Sequence, residues 1–218
     1  MIPVERLYTH RWTPEEGQDL SRVWRVLVVN FFQRFIDPEG TLLDLGAGFC
    51  WFINPVRARQ RLAFDANPSV RDAADPAVKA IVSSDLALPM IGEGELTQVF
   101  MSNFLEHLPS AASVIDLLGT LHRKIRPGGS VLILQPNFRY VGPAYFDFID
   151  HQVVLTDRSL VEALETTGFR VTYLKKRFLP YTAKSRLPKW PWLVRLYLHC
   201  PPLHWFFGQQ TFVVAQAI

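Results

Sequence analysis

Three short apolar runs in this 218-residue chain end on an aspartate: Asp44 in TLLDL, Asp65 in RLAFDA and Asp85 in KAIVSSD. Behind the first come Gly46 and Gly48, in LLDLGAGFCWFINP, where bare backbone can pass close to a ligand. Asp65 follows Asp44 by 21 positions, about the interval at which a second strand delivers an acid to a ribose diol. One carboxylate can accept from both hydroxyls. The chemistry that these residues could do together is to hold a nucleoside. A dinucleotide needs G-x-G-x-x-G, but the third glycine position holds Trp51, and an indole cannot give the close helix–strand packing found beneath a pyrophosphate. The spacing therefore points to a cofactor with a ribose and a zwitterionic tail. The plainer reading of the same aspartates is strand-end turns or helix caps.

Two of the six histidines stand where strand ends should converge. His107 follows a strand in SNFLEHL, and His151 closes YFDFIDH, with Asp147 or Asp150 near enough in sequence to orient its ring. An imidazole that titrates near neutrality can take a proton from an oxygen acceptor. Asn137, Tyr140 and Asp150, beyond the fifth strand, are candidate acceptor contacts. Cys50 and Cys200 are the only cysteines, too few for a disulfide framework or a zinc site, and no metal is expected.

These residues need a scaffold. Residues 18–36 carry apolar side chains at three- and four-residue spacing, an amphipathic helix. Short apolar strands follow at 41–45, 61–66, 79–85, 96–103 and 130–136. A helix over 109–126 is stopped by RPGG, and another follows in TDRSLVEALETTGF, where Ser159 and Glu162 have capping-box spacing. FRVTYLKKRF and QTFVVAQAI read as the last two strands. The alternation predicts a Rossmann-like α/β fold: a seven-stranded, mainly parallel sheet with helices on both faces and an antiparallel last strand. Residues 1–40 form a helical leader or lid, with Arg11, Trp12 and Trp24. Residues 41–218 form the main domain, with a basic aromatic insertion at about 180–208.

A hydrophobic fraction of 49% with 20% charged residues is too apolar for disorder. No early apolar core of a secretory signal is visible, and no run reaches the roughly 18 apolar residues of a membrane span. A cytoplasmic site is the expectation. The net charge of +3 conceals an asymmetry, because no Asp or Glu follows Glu165 while eight Lys and Arg do.

With LDLGAGFC, AFDANP, SSDLALP, VFMSNFLEHL and IRPGGSVLILQPN in order, the chain resembles class I S-adenosylmethionine-dependent methyltransferases of the type 11-like group, over about residues 40–175. The resemblance implies S-adenosylmethionine as cofactor and S-adenosylhomocysteine as product. It implies that Gly46, Ala47 and Gly48 pass beneath the methionine part and that Asp44 orients the turn or the ammonium. It gives Asp65 the ribose, Ala66 and Asn67 the loop closing over adenosine, Asp85 and the Leu86 amide the adenine edge, and Ser102 and Asn103 the neighbourhood of the sulfonium. Cys50 departs from the usual third glycine; given ordinary backbone angles there, the expectation is a tighter fit.

The resemblance argues against nucleic acid as acceptor. The end of the fourth strand reads SNFL and lacks the Asn/Asp-Pro-Pro-Tyr grip on a flipped base, and the cytosine-C5 chemistry needs a cysteine that is not spare. DHQVVLTDRSL with RFLPYTAKSRLP is also similar to methyltransferases of cell-surface polysaccharide pathways. The expected activity is O-methylation of a glycan, a sugar nucleotide or a lipid-linked acceptor. Methylation of another small molecule or lipid, and cofactor binding without catalysis, remain open alternatives. Cations beside Trp and Phe within 184–207 suit a peripheral membrane contact, an acceptor wall or the domain's own packing. The oligomeric state is not legible.

Overall fold

The structure, a computed structural model, describes residues 13–181 and 190–218. Arg11 and Trp12 of the leader, and Lys184, Arg186 and Lys189 of the insertion, lie outside the described residues. Strand β1 (Thr41–Leu45) is buried along its whole length, as a central parallel strand must be. It pairs in parallel with β2 (Gln60–Asp65) on one side and β4 (Leu96–Ser102) on the other. β3 (Lys79–Val82) extends the first side, and β5 (Ile125–Pro136) the second. β7 (Gln210–Ala217) runs antiparallel between β5 and β6 (Phe169–Lys175). The order is β3-β2-β1-β4-β5-β7-β6. The chain winds outward from β1 and returns to β4, so the sheet's switch point lies between their carboxyl ends, where open α/β sheets bind ligands.

Side-chain alternation along β4 divides the core. Val99 and Met101 face the cluster built with α3 (Ala111–Lys124) and α5 (Asp157–Thr166), while Phe100 faces the α1 side (Pro14–Asn30). The α1 side is aromatic: Phe31 stacks on Phe178 at 4.2 Å, and Phe52 stacks on Phe100 at 3.5 Å between centroids. Offset ring pairs of this kind add about 0.5–1.5 kcal/mol to their burial.

Several local expectations are corrected. The periodicity over 18–36 is one helix in sequence but two pieces in space. Thr13 and Glu16 cap α1 reciprocally, the α-helix ends at Asn30, and Phe32–Phe35 continue as a 3-10 turn; that change of winding lets Phe31, Phe32 and Phe35 all reach Phe212. The helix before RPGG ends at Lys124, and Ile125 already pairs with Leu96, with a register shift before Gln98 meets Ser130. Gly129 is needed there because a Cβ would press on the Thr97 carbonyl. The capping box of α5 is Thr156 with Ser159, not Ser159 with Glu162; the helix starts three residues earlier than that spacing implies.

The crossover from β1 to β2 carries no helix. Gly46, Gly48 and Cys50 have φ of 78°, 50° and 56°, three left-handed residues at alternate positions that a right-handed helix cannot absorb. The segment instead turns repeatedly and sends Phe52, Ile53 and Val56 into the core. The remaining helices are short: α2 (Val70–Ala73), α4 (Phe138–Val141), α6 (Pro191–His199) and α7 (Pro201–Phe207). α6 packs on α1 through Val194, Tyr197 and Leu198, and the Tyr197 hydroxyl donates to the Phe178 carbonyl. Among the described residues no helix is long and apolar enough to cross a membrane.

Candidate functional site

A cavity of about 210 Å3 opens at the carboxyl ends of β1 and β4. Asp44 and the turn Gly46–Phe49 form one wall; Ser102, Asn103, Glu106 and His107 form the other; Phe148, His151 and Tyr181 close over them. Trp24 reaches in from α1 while packing edge-on to Phe52 and Phe100, so it serves core and cavity together.

The β1 wall is made of backbone. The amides of Gly46 and Ala47 donate to the Phe64 carbonyl, fixing the turn to β2. A Cβ on Gly46 would land on the Phe104 ring. Asp65 accepts from the Gly48 amide at 2.8 Å and the Asn67 amide at 2.7 Å, so this one carboxylate aligns both loops; each of its oxygens has a further lone pair. Asp44 is only 3% exposed; burial, and then the nearby Asp65 charge, hold its carboxyl well above the usual range. A cation in the cavity would relieve that cost.

Cys50 corrects the expectation of ordinary angles, since its φ is +56°. It takes the left-handed conformation that favours glycine, at about 1–2 kcal/mol for a residue with a Cβ. Its side chain points away from the cavity into the core, with Sγ 3.9 Å from the Val70 carbonyl, and burial pushes the thiol up to about 12. Only its backbone shapes the turn.

Asp65, Ala66, Asn67, Asp85 and Leu86 lie outside the cavity lining, along the β2 and β3 ends. Asn67 is buried and accepts from the Ser69 amide. β3 stops at Val82, so Asp85 sits in the following loop, exposed, accepting from the Ala87 amide, while Leu86 packs on the core.

The opposite wall is made of side chains. A 3-10 turn, Leu105–His107, follows β4, and the Glu106 carbonyl accepts from the amides of Gln152 and Val153 at 2.8 and 3.1 Å. This pair of bonds brings His151 to His107, with ring centroids 5.0 Å apart. Asp150 orients His107: its carboxylate lies 3.2 Å from His107 Nδ1. Burial alone would lower the His107 pKa, but the bond to Asp150 and the Glu106 charge outweigh it, and the net direction is upward. His151 Nδ1 donates to the Tyr145 carbonyl at 2.7 Å, which leaves Nε2 as the basic nitrogen of the neutral ring. The Phe148 ring stacks on His151 at 5.1 Å and the Tyr181 hydroxyl approaches its Nδ1 at 3.4 Å. Asp147 is exposed in a 3-10 turn.

Two expected acceptor contacts are placed elsewhere. The Asn137 amide donates to Asp157 and Thr211 while its oxygen caps α4; that full set of bonds holds the β5 end together away from the cavity. Tyr140 lies under the Arg177 guanidinium, 4.7 Å from its ring centroid, also outside the lining. Sequence reasoning passed over Glu106, Phe148 and Tyr181. Glu106 was visible as the acid beside His107, but Tyr181 arrives from after β6 with no motif to mark it.

A family profile described as "Methyltransferase domain" matches residues 17–174. The chain belongs to the methyltransferase-domain family. No curated sequence matches it. Its fold is shared with the methyltransferase bound to the Haloferax volcanii Trm112 methyltransferase activator, at 14% identity, 93% of each chain and a TM-score of 0.67. An S-adenosylmethionine-dependent methyltransferase from Archaeoglobus fulgidus follows at 20% identity, covering 88% of this chain and 94% of that one, with a TM-score of 0.64. Geranyl diphosphate C-methyltransferase from Streptomyces coelicolor A3(2) gives 15% identity, 89% and 76% coverage and a TM-score of 0.63. The protein is a class I S-adenosylmethionine-dependent methyltransferase, with the seven-stranded mixed sheet of that class. The cavity's chemistry fits a zwitterionic, adenosyl cofactor: a buried carboxyl, Asp44, and the bare backbone of Gly46 and Gly48 share one wall.

Proposed function

We propose that the methyltransferase methylates a hydroxyl oxygen of a glycan, a sugar nucleotide or a lipid-linked acceptor. The observation that carries this reading is the pair of oriented imidazoles, His107 on Asp150 and His151 on the Tyr145 carbonyl, facing the Asp44 turn across the cavity. S-adenosylmethionine supplies a sulfonium methyl: the S–CH3 bond breaks, its electron pair stays on sulfur, and an O–CH3 bond forms. The protein's own work is alignment and removal of the acceptor proton, which passes to an imidazole Nε2 and on to water. Asp44 takes the ammonium, the Gly46–Gly48 backbone the methionine part, and Asp65 the ribose. Asn67 and Ala66 bound the adenosine; Asp85 and the Leu86 amide read the adenine edge; Ser102 and Asn103 lie toward the sulfonium. Phe148 and Tyr181 replace Asn137 and Tyr140 as acceptor walls.

The acceptor class is supported by the basic, aromatic end of the chain. Trp192 and Phe206 are 59% and 72% exposed on α6 and α7, and Trp190, Leu196 and Trp205 are exposed as well; the sequence after Glu165 carries eight cations and no acid. Trp and Phe at an interface and about 1 kcal/mol per cation near an anionic surface favour a peripheral membrane position. A labelled-methyl assay on extract fractions tests the reading. Label in carbohydrate or lipid supports it, and label confined to protein or RNA overturns it. Wild-type protein should sediment with anionic vesicles at low salt, and Trp192→Ala with Phe206→Ala should abolish this.

A further inference from the structure

Glu106 is 0% exposed, lines the cavity, and neither carboxylate oxygen has a hydrogen-bond partner. Burial pushes the Glu106 carboxyl above its usual range, and the His107 charge and the neighbouring Gln135 amide only partly ease it. An ionised carboxylate held this way is costly unless something positive meets it. His107 and His151 supply the rest of a ligand set: one donor atom from each of the three residues lies within 4.8 Å of the others. Nδ1 of each ring is held from outside the trio, that of His107 by the Asp150 carboxylate and that of His151 by the Tyr145 carbonyl. That is the outer-shell pattern which fixes the tautomer of a ligating histidine.

We infer that Glu106, His107 and His151 form a binding site for one divalent first-row transition-metal ion. Two imidazoles and one carboxylate select zinc, iron, manganese, cobalt or nickel over magnesium and calcium. Metal bonds of about 2.1 Å set tetrahedral ligand atoms about 3.4 Å apart, so the trio need close by no more than about 1.4 Å on loading. A site with three protein ligands keeps a position open on the cavity side. There an acceptor hydroxyl binds and loses its proton directly to solvent, so in the loaded enzyme the metal takes over the imidazole's part in removing the proton while the methyl still passes from sulfur to that oxygen. This role rests on the proposed acceptor chemistry; the site itself does not. The sequence concealed it because two ligands adjoin on one turn and the third comes 44 residues later, so no ligand spacing is visible.

The test is titration of the chelator-stripped full chain with Zn2+ by calorimetry and with Co2+ by visible absorption, cofactor and acceptor both absent. One equivalent should bind, raising Tm. Glu106→Gln keeps the shape and removes a buried charge, so it should fold; its affinity should fall at least about tenfold and its Tm should not respond. His107→Ala should behave likewise, and His122→Ala, on the far end of α3, as wild type. No binding by wild type, or equal binding by Glu106→Gln, overturns the site. No metal together with lost turnover in His151→Ala leaves the base reading standing and sinks the metal; metal bound by wild type with full turnover in His151→Ala leaves the site standing and sinks both the base reading and the metal's part in acceptor activation.

Discussion

The cavity has two walls built on different terms. The β1 wall is backbone: amides tied to the Phe64 carbonyl and to Asp65, bent through left-handed residues at 46, 48 and 50. The β4 wall is side chains: Glu106, His107 and His151, placed by hydrogen bonds between the 105–107 turn and the 148–153 loop. A backbone wall tolerates change in most side chains around it and keeps its shape, as suits a fixed cofactor. A side-chain wall can be re-equipped one residue at a time, as suits an acceptor that differs between enzymes. Damage to the first should therefore be read in cofactor affinity, and damage to the second in turnover.

The largest expected effect is on the second wall. His151→Ala should lower kcat by about 100-fold or more, with the affinity for S-adenosylhomocysteine unchanged within about twofold. Steady-state kinetics beside calorimetry reads both, and a matching loss of affinity would merge the two walls. Next comes Gly46→Ala. Its Cβ meets the Phe104 ring at a φ of +78°, so about 1–3 kcal/mol of stability should be lost, together with cofactor binding. Denaturant unfolding and the same calorimetry measure it.

Asp44→Asn sharpens the contrast by moving two quantities in opposite directions. The Asp44 pKa is raised on folding from an ordinary 3.8, so its contribution is present in full below that value and is lost as pH rises through the folded value. Above it the buried charge is a burden that asparagine lacks. The Tm advantage of Asp44→Asn should therefore widen from pH 4 to pH 8 while its cofactor affinity falls. The smallest effect belongs to Cys50→Gly, where relief of the left-handed conformation offsets the lost buried thiol and leaves stability within about 1 kcal/mol. With its thiol pushed up to about 12, Cys50 should resist iodoacetamide at pH 8 while the half-buried Cys200 reacts.

The strand order and the β1 turn were legible because they rest on local signals: apolar runs, strand-end aspartates and paired glycines. The helix ends were less so. Asn30 is where α1 stops because three phenylalanines must all reach the core, which is a tertiary demand. Asn137 looked like an acceptor contact by position alone, and only the fold shows its amide used on Asp157 and Thr211. The contact of Asp150 was hidden for a similar reason: its carboxylate meets the histidine 43 residues earlier, while the Tyr145 carbonyl holds the adjacent His151. Glu106 mattered through its burial, which no spacing announces.

On the proposed reading, one cavity holds the cofactor's amino-acid end against Asp44 and presents its sulfur to the two imidazoles. A crystal structure with S-adenosylhomocysteine tests this most directly. The ammonium should lie at the Asp44 carboxylate, adenosine should run along Asp65 toward Asp85, and sulfur should turn toward His107 and His151. Amino-acid-end density away from Asp44, or sulfur turned toward the β2 and β3 edge, would contradict it.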